Sequence, residues 1–205
     1  MDSRAYFNEL AQGSEEWFAL RAGRITASEF STLLAKGRGN APSKTRQTYM
    51  YKMAGERITG EVQEYYTNAH MERGKEMEHE ARLMYELATG LEVQPCGFVA
   101  YGSHLGYSPD GLVGEDGLVE IKTKLPHLQL ELLLSGEVPN EHMAQLQGGM
   151  WVANRQWIDF VSYWPKMPVF IKRVTRDEPY IENLAQEAIK FLADLDKVMA
   201  LVAEL

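Results

Sequence analysis

The sequence predicts an α/β or α+β fold, with a central mixed sheet of about five strands flanked by helices. Two observations predict it. Helical signals fill the chain up to about residue 90 and return over its last 25 residues, where apolar positions recur at helical spacing. Between them the period shortens, and the order reads helix, three strands, helix, strand, then a further strand candidate. One domain over 1–205 accommodates this, with a helical part at about 1–67, a sheet core at about 68–175 and a closing helix at about 178–203.

Each element has its own warrant. Ser14-Glu15-Glu16 ahead of Trp17, Phe18 and Leu20 marks a capped helix start. A second helix is expected from about Thr26 through Ala27 to Ala35, followed by a loop at 36–43 on composition (KGRGNAPS). Ser43 to Thr59 reads as a helix ended by Gly60, and Asn68 to Ala88 as a longer one closed by Thr89-Gly90. Leu91–Tyr101, His104–Val113 and Leu118–Lys124 read as three strands joined by short turns, Glu115-Asp116-Gly117 being a tight-turn signal. Asn140–Ala153 is a predicted helix, Gln156–Trp164 and Val169–Thr175 are predicted strands, and a helix from Glu178 or Tyr180 to Leu201 follows.

The 205 residues are 45% hydrophobic and 24% charged, ordinary values for a globular chain, and no apolar run reaches membrane-span length. The first residues lack the basic and then apolar pattern of a secretory signal. Cys96 is the single cysteine, which excludes an internal disulfide or a cysteine-ligated zinc or iron–sulfur site within one chain and favours a reducing, cytoplasmic setting. The five histidines show no metal-ligand spacing, and there is no Gly-rich phosphate loop or nucleophile elbow. A net charge of −8 argues against wholesale wrapping of nucleic acid, although Lys36, Arg38, Lys44 and Arg46 cluster, as do Lys122 and Lys124.

The stretch SPDGLVGEDGLVEIKTK (Ser108–Lys124) carries the chemistry. Side chains alternate along a strand, so Glu120 and Lys122 share a face, and a hairpin folds Asp110 back beside them. Two carboxylates and an ammonium at one sheet edge suit a divalent metal, a phosphate and a water. Mg²⁺, with Mn²⁺ as a substitute, would take Asp110, Glu120 and the backbone carbonyl of Ile121, while Lys122 would orient the water or stabilise phosphate charge. As residues alone, Asp110 also suits a Pro-Asp-Gly turn, and Glu76, Glu78 and Glu80 also suit a solvated helix face, with Glu78 and Arg82 as an i,i+4 pair.

Pro-Asp followed by Glu-x-Lys is similar to the signature of the PD-(D/E)XK nucleases, and the predicted element order resembles their core. Four ordered segments resemble one family among them, the lambda-type exonucleases or YqaJ-like viral recombinases. WFALRAGRITASEF resembles its Trp-x-x-x-Arg-x-Gly-x-Ile-Thr-Ala-Ser segment, RGKEMEHEARLMYELATG its Gly-x-x-x-Glu-x-x-Ala-Arg helix, SPDGLVGEDGLVEIKTK its active-site hairpin, and HMAQLQGGMWV its Gln-x-Gln helix. The resemblance implies catalytic roles for Asp110, Glu120, Lys122 and Glu78, a 5′-phosphate site of Arg21, Ser28 and Ser108, and a place for Gln145 near the active site. His142 stands where the family often has tyrosine, and it is assigned no chemistry.

The resemblance further implies a Mg²⁺-dependent 5′→3′ exonuclease on double-stranded DNA ends that leaves 3′ overhangs. It implies a homotrimeric ring, a single-strand annealing protein as partner, and a phage or prophage source within a bacterial cytoplasm, while the lack of a membrane-length apolar run leads to the expectation of no membrane association. An endonuclease of the same fold (restriction or junction-resolving), a catalytically silent DNA-end binding module and an interaction scaffold remain as alternatives.

Overall fold

Local capping chemistry sets the helix ends in the computed structural model, which describes residues 3–37, 43–62 and 69–205, with the side chains of 69–72 and 74–76 excepted. After a short strand β1 (Arg4–Phe7), the Ser14 hydroxyl accepts the Trp17 N–H at 3.2 Å and opens α1 (Glu15–Arg21). Then come β2 (Ile25–Thr26), a 3₁₀ turn at Ala27–Glu29 and α2 (Phe30–Leu33), so the helix expected from Thr26 to Ala35 is a tight turn and a four-residue helix. The part expected to be helical thus contributes two strands. Of the loop expected at 36–43, residues 38–42, including Arg38, lie outside the described residues.

Ser43 caps α3 (Lys44–Thr59) by accepting the Arg46 N–H, and Gly60 ends it in the left-handed conformation at φ 73°. α4 (Ala69–Thr89) follows, then β3 (Val93–Gln94), β4 (Phe98–Tyr101), β5 (Leu105–Tyr107), β6 (Gly111–Val113) and β7 (Gly117–Thr123). The chain continues through α5 (Pro126–Ser135), α6 (Asn140–Ala153), β8 (Trp157–Tyr163), β9 (Phe170–Thr175) and α7 (Glu178–Ala203). Helix α5 has no counterpart among the predicted elements. Its run Leu-Gln-Leu-Glu-Leu-Leu-Leu lacks a clear period, and Pro126 supplies the helix start.

The strands form the predicted five-stranded mixed sheet, in the order β3-β6-β7-β8-β9, and a second, four-stranded sheet ordered β1-β4-β5-β2. Two of the predicted long strands are each divided between these sheets. Leu91–Tyr101 becomes β3 and β4, broken at Pro95-Cys96-Gly97, and His104–Val113 becomes β5 and β6, broken at Ser108-Pro109-Asp110. Proline has no N–H to give a ladder, so each break falls where a proline interrupts pairing. The chain therefore crosses between sheets at Ser108–Asp110, which places this segment at their junction.

In the five-stranded sheet β7 and β8 run parallel, with Glu120 opposite Phe160, and the other pairs are antiparallel. Alternation separates the two faces of β7. Val119 and Ile121 pack with Ala81 and Tyr85 of α4, whereas Leu118 joins Leu146 and Met150 of α6 in the larger core cluster. Glu120, between these positions, faces α6. Under α4, Asp159 is neutralised by two bonds from Arg173 (2.9 and 2.8 Å) and one from the Tyr85 hydroxyl (2.7 Å), the pairing a buried carboxylate requires.

Helix α6 approaches its neighbours closely because Gly148 and Gly149 present no side chain. A Cβ on Gly148 would lie 1.9 Å from Phe30 Cδ2, and one on Gly149 2.9 Å from the Tyr107 ring. Gly148→Ala is expected to lower folding stability by about 1–3 kcal/mol through overpacking. Alanine's intrinsic helix advantage of about 1 kcal/mol does not offset the clash. Chemical denaturation of the two proteins checks this.

Candidate active site

Glu120 is only 3% exposed, and a charge so placed needs donors. Three reach it from different elements. Lys122 Nζ donates to Oε1 at 2.6 Å along the shared face of β7, Gln145 Nε2 donates to the same oxygen at 2.5 Å from α6, and the Tyr107 hydroxyl donates to Oε2 at 2.9 Å from β5. Tyr107 is fully buried, and burial together with the charges of Glu120 and Asp110 holds its phenol well above the usual value, so it remains a neutral donor.

Asp110 precedes β6 and stands across the hairpin from Glu120 and Ile121. Its Oδ2 accepts the Ile121 N–H at 2.6 Å. Desolvation first, then repulsion from Glu120 and Glu78, push its pKa well above the carboxylate range against the pull of Lys122 and the Ile121 N–H. Burial opposes the charge on Lys122, but Glu120, Asp110 and Glu78 outweigh it and raise the ammonium pKa above its usual value. Glu78 comes in from α4. Arg82, one turn on, binds Glu78 Oε1 at 2.9 Å and the Asp110 carbonyl at 2.8 Å with one nitrogen, and so ties that helix to the crossing segment.

On the other wall, Ser108 Oγ accepts from Trp17 Nε1 (3.0 Å) and Arg21 Nη1 (3.2 Å), and the Arg21 guanidinium lies 4.2 Å from the Trp17 ring centre. Arg21 Nε is buried with no hydrogen-bond partner among the described residues. Ser28 is exposed at the start of the 3₁₀ turn, with its Oγ 3.2 Å from Thr26 Oγ1.

All of the residues singled out in the sequence, namely Arg21, Ser28, Glu78, Ser108, Asp110, Glu120, Ile121, Lys122 and Gln145, line one cleft of about 580 Å³. Glu80 does not line this cleft, and the side chain of Glu76 is outside the described residues. Sequence reasoning missed three contributors. Tyr107 reads as an ordinary strand aromatic, and nothing in its local pattern marks it. Gln12, whose Nε2 donates to the Pro109 carbonyl at 2.9 Å, belongs to a segment with no motif. Lys124, in the cleft wall two residues beyond Lys122, was visible as part of a basic pair but without a role.

Among the described residues no group of three His, Cys, Asp or Glu side chains is gathered to hold a metal ion. Mg²⁺ commonly takes only one or two protein carboxylates and fills its shell with water and phosphate oxygens. Burial first, then repulsion from Glu120, raises the proton affinity of Asp110, and the two carboxylates are a donor pair whose repulsion a divalent cation would relieve.

The fold is one shared with solved exonucleases. The alkaline exonuclease LHK-Exo from Laribacter hongkongensis is 36% identical, with a TM-score of 0.85 over 93% of this chain and 97% of that one, and its complex with dAMP matches equally well. A phage-related exonuclease from Haemophilus somnus 129PT shares the fold at 14% identity and a TM-score of 0.64, over 87% of this chain and 96% of that one. Residues 16–156 match the model of the YqaJ-like viral recombinase domain, and the chain belongs to that family. A search of the curated proteins gives no match.

His142, which the resemblance set apart from the family's motif, lies outside the cleft lining. Its ring packs 5.1 Å from that of Phe160, and its Nε2 is 3.3 Å from Glu141 Oε1. Burial first, then Lys124 and Lys122, push its pKa down to about 4. The unfolded chain takes up this proton first, near pH ~6.5. The His142 contribution to stability is therefore complete above that pH and lost as pH falls toward 4. NMR titration should find the His142 imidazole titrating near 4, and His142→Phe should flatten the fall in stability over that window.

Proposed function

We propose that this protein is a Mg²⁺-dependent 5′→3′ exonuclease that degrades one strand of linear double-stranded DNA and leaves 3′ overhangs for single-strand annealing recombination. The observation that carries the reading is the convergence, in one cleft, of the Asp110–Glu120–Lys122 set with the Arg21–Ser108 wall. The similarity to LHK-Exo, an alkaline exonuclease, and membership of the recombinase family support it.

Asp110, Glu120 and the Ile121 carbonyl would hold the Mg²⁺, with Mn²⁺ as a substitute. The bound ion supplies an activated water at neutral pH and neutralises charge on the phosphate. Lys122 remains a cation between the carboxylates and the cleft, placed to orient the water and to stabilise the charge that develops at phosphorus. Gln145 and Tyr107 hold the Glu120 carboxylate in one orientation. Glu78, close enough to raise the Asp110 pKa, adds a further carboxylate at the cleft wall.

Arg21, Ser28 and Ser108 would receive the 5′-terminal phosphate. Arg21 lines the cleft and has spare donor capacity among the described residues, and a guanidinium grips phosphate through paired bonds. A phosphate held there sets the strand polarity, since the next phosphodiester then falls at the carboxylates. The overall charge of −8 makes bound cations and this local basic wall the means of meeting DNA. By the same resemblance the protein acts as a homotrimeric ring in a bacterial cytoplasm, encoded by a phage or prophage, beside a single-strand annealing protein. Among the described residues no helix is long and apolar enough to cross a membrane.

Linear duplex labelled at either end should release nucleotides from its 5′ ends with Mg²⁺ and stay intact when the ion is chelated. Rapid cutting of covalently closed circular duplex would assign an endonuclease instead, and no degradation with either ion a binding module. Lys122→Ala is expected to lower the rate on the order of 10²–10³-fold while DNA still binds in a gel-shift assay. Arg21→Ala should abolish any preference for phosphorylated over hydroxyl 5′ ends in the same release assay.

A further inference from the structure

Between Arg21 and Ser28 the chain turns at Gly23, whose φ of +67° is left-handed. Two successive residues of α3 hold both polar groups of this glycine. Glu56 Oε2 accepts the Gly23 N–H at 3.1 Å, and Arg57 Nε donates to the Gly23 carbonyl at 3.1 Å. The fit is tight, since a Cβ on Gly23 would lie 2.7 Å from Arg57 Cγ. Arg57 is fixed in turn by His104 Nδ1 at 3.1 Å and Asp196 Oδ1 at 3.6 Å. The His104 carbonyl accepts the Ile25 N–H at 2.8 Å just beyond the turn, and the Arg24 N–H closes it on the Arg21 carbonyl at 3.0 Å.

Glu56 is 5% exposed, and among the described residues the cation nearest to pairing with it is Lys52, with Nζ 4.0 Å from Oε1. Sinking a carboxylate is costly, and an apolar side chain would serve packing better. What this one does is fix a turn that has Arg21 on one side and Ser28 on the other. We propose that Glu56, assisted by Arg57, is a positioning residue for DNA-end recognition: it locks the Gly23 turn so that Arg21 and Ser28 stand ready for a terminal phosphate. Ligand-binding groups tolerate little displacement, and a supporting shell of this kind provides the constraint. The inference rests on the 5′-phosphate reading of the Arg21–Ser28–Ser108 wall.

The test compares linear duplex carrying 5′-phosphate or 5′-hydroxyl ends, using the full-length protein, Glu56→Ala, Glu56→Gln and Arg57→Ala, with a thermal midpoint for each. Glu56→Ala is expected to raise KM for phosphorylated ends about tenfold, with kcat and the rate on hydroxyl ends unchanged. Glu56→Gln should restore the preference, because its amide oxygen still accepts the Gly23 N–H. If Glu56→Ala does not fold, Arg57→Ala carries the test and should erode the same preference. Equal loss on both kinds of end, an intact preference in the variants, or a Glu56→Gln as impaired as Glu56→Ala would overturn the proposal. An unmutated protein indifferent to the terminal phosphate would instead remove the phosphate reading itself.

Discussion

The site depends on a carboxylate that the fold has placed out of water. Glu120 sits in the buried centre of the sheet, where an unpaired charge would be untenable, and its donors are drawn from β5, β7 and α6. Satisfying this one group requires β5 to end beside β7, and α6 to lie close enough for an amide to reach. Gly148 and Gly149 permit that approach. The requirement couples the four-stranded sheet, the five-stranded sheet and α6 through a single side chain.

The crossing at Ser108–Asp110 is the second constraint. Pro109 ends one ladder and the next residues start another, so the segment leaves one sheet with Ser108 and enters the other with Asp110. Ser108 meets Trp17 and Arg21, while Asp110 meets the Ile121 N–H. Three consecutive residues thus join the wall suited to an anion to the wall suited to a cation. Gln12 and Arg82 grip the carbonyls of Pro109 and Asp110 from outside and hold the crossing in place.

Electrostatics within the cleft run against the overall character of the chain. The chain is acidic, yet Arg21, Lys122 and Lys124 line the cleft beside Glu78, Asp110 and Glu120. The carboxylates keep Lys122 charged, and burial first, then repulsion among the carboxylates, raises the proton affinity of Asp110. Such a mixed arrangement sets carboxylates beside fixed cations, the kinds of side chain that phosphodiester chemistry uses.

Much of this was legible in the sequence wherever the governing interaction is local. Strand alternation put Glu120 and Lys122 on one face, Ser14, Ser43 and Gly60 marked helix ends, and the ordered segments from Trp17 to Val152 carried the family resemblance. Glu78, which composition alone reads as a solvated residue, was drawn into the site only by that resemblance. Tertiary structure decided the rest. Strands of two to four residues, as in β1 to β6, are too short to show a period, so the division into two sheets stayed hidden, and α5 was missed in an undirected leucine run. Tyr107 and Glu56 gain their roles from partners 13 and 33 residues away. Such pairings are set by how the sheets and α3 pack together, and no local pattern encodes them.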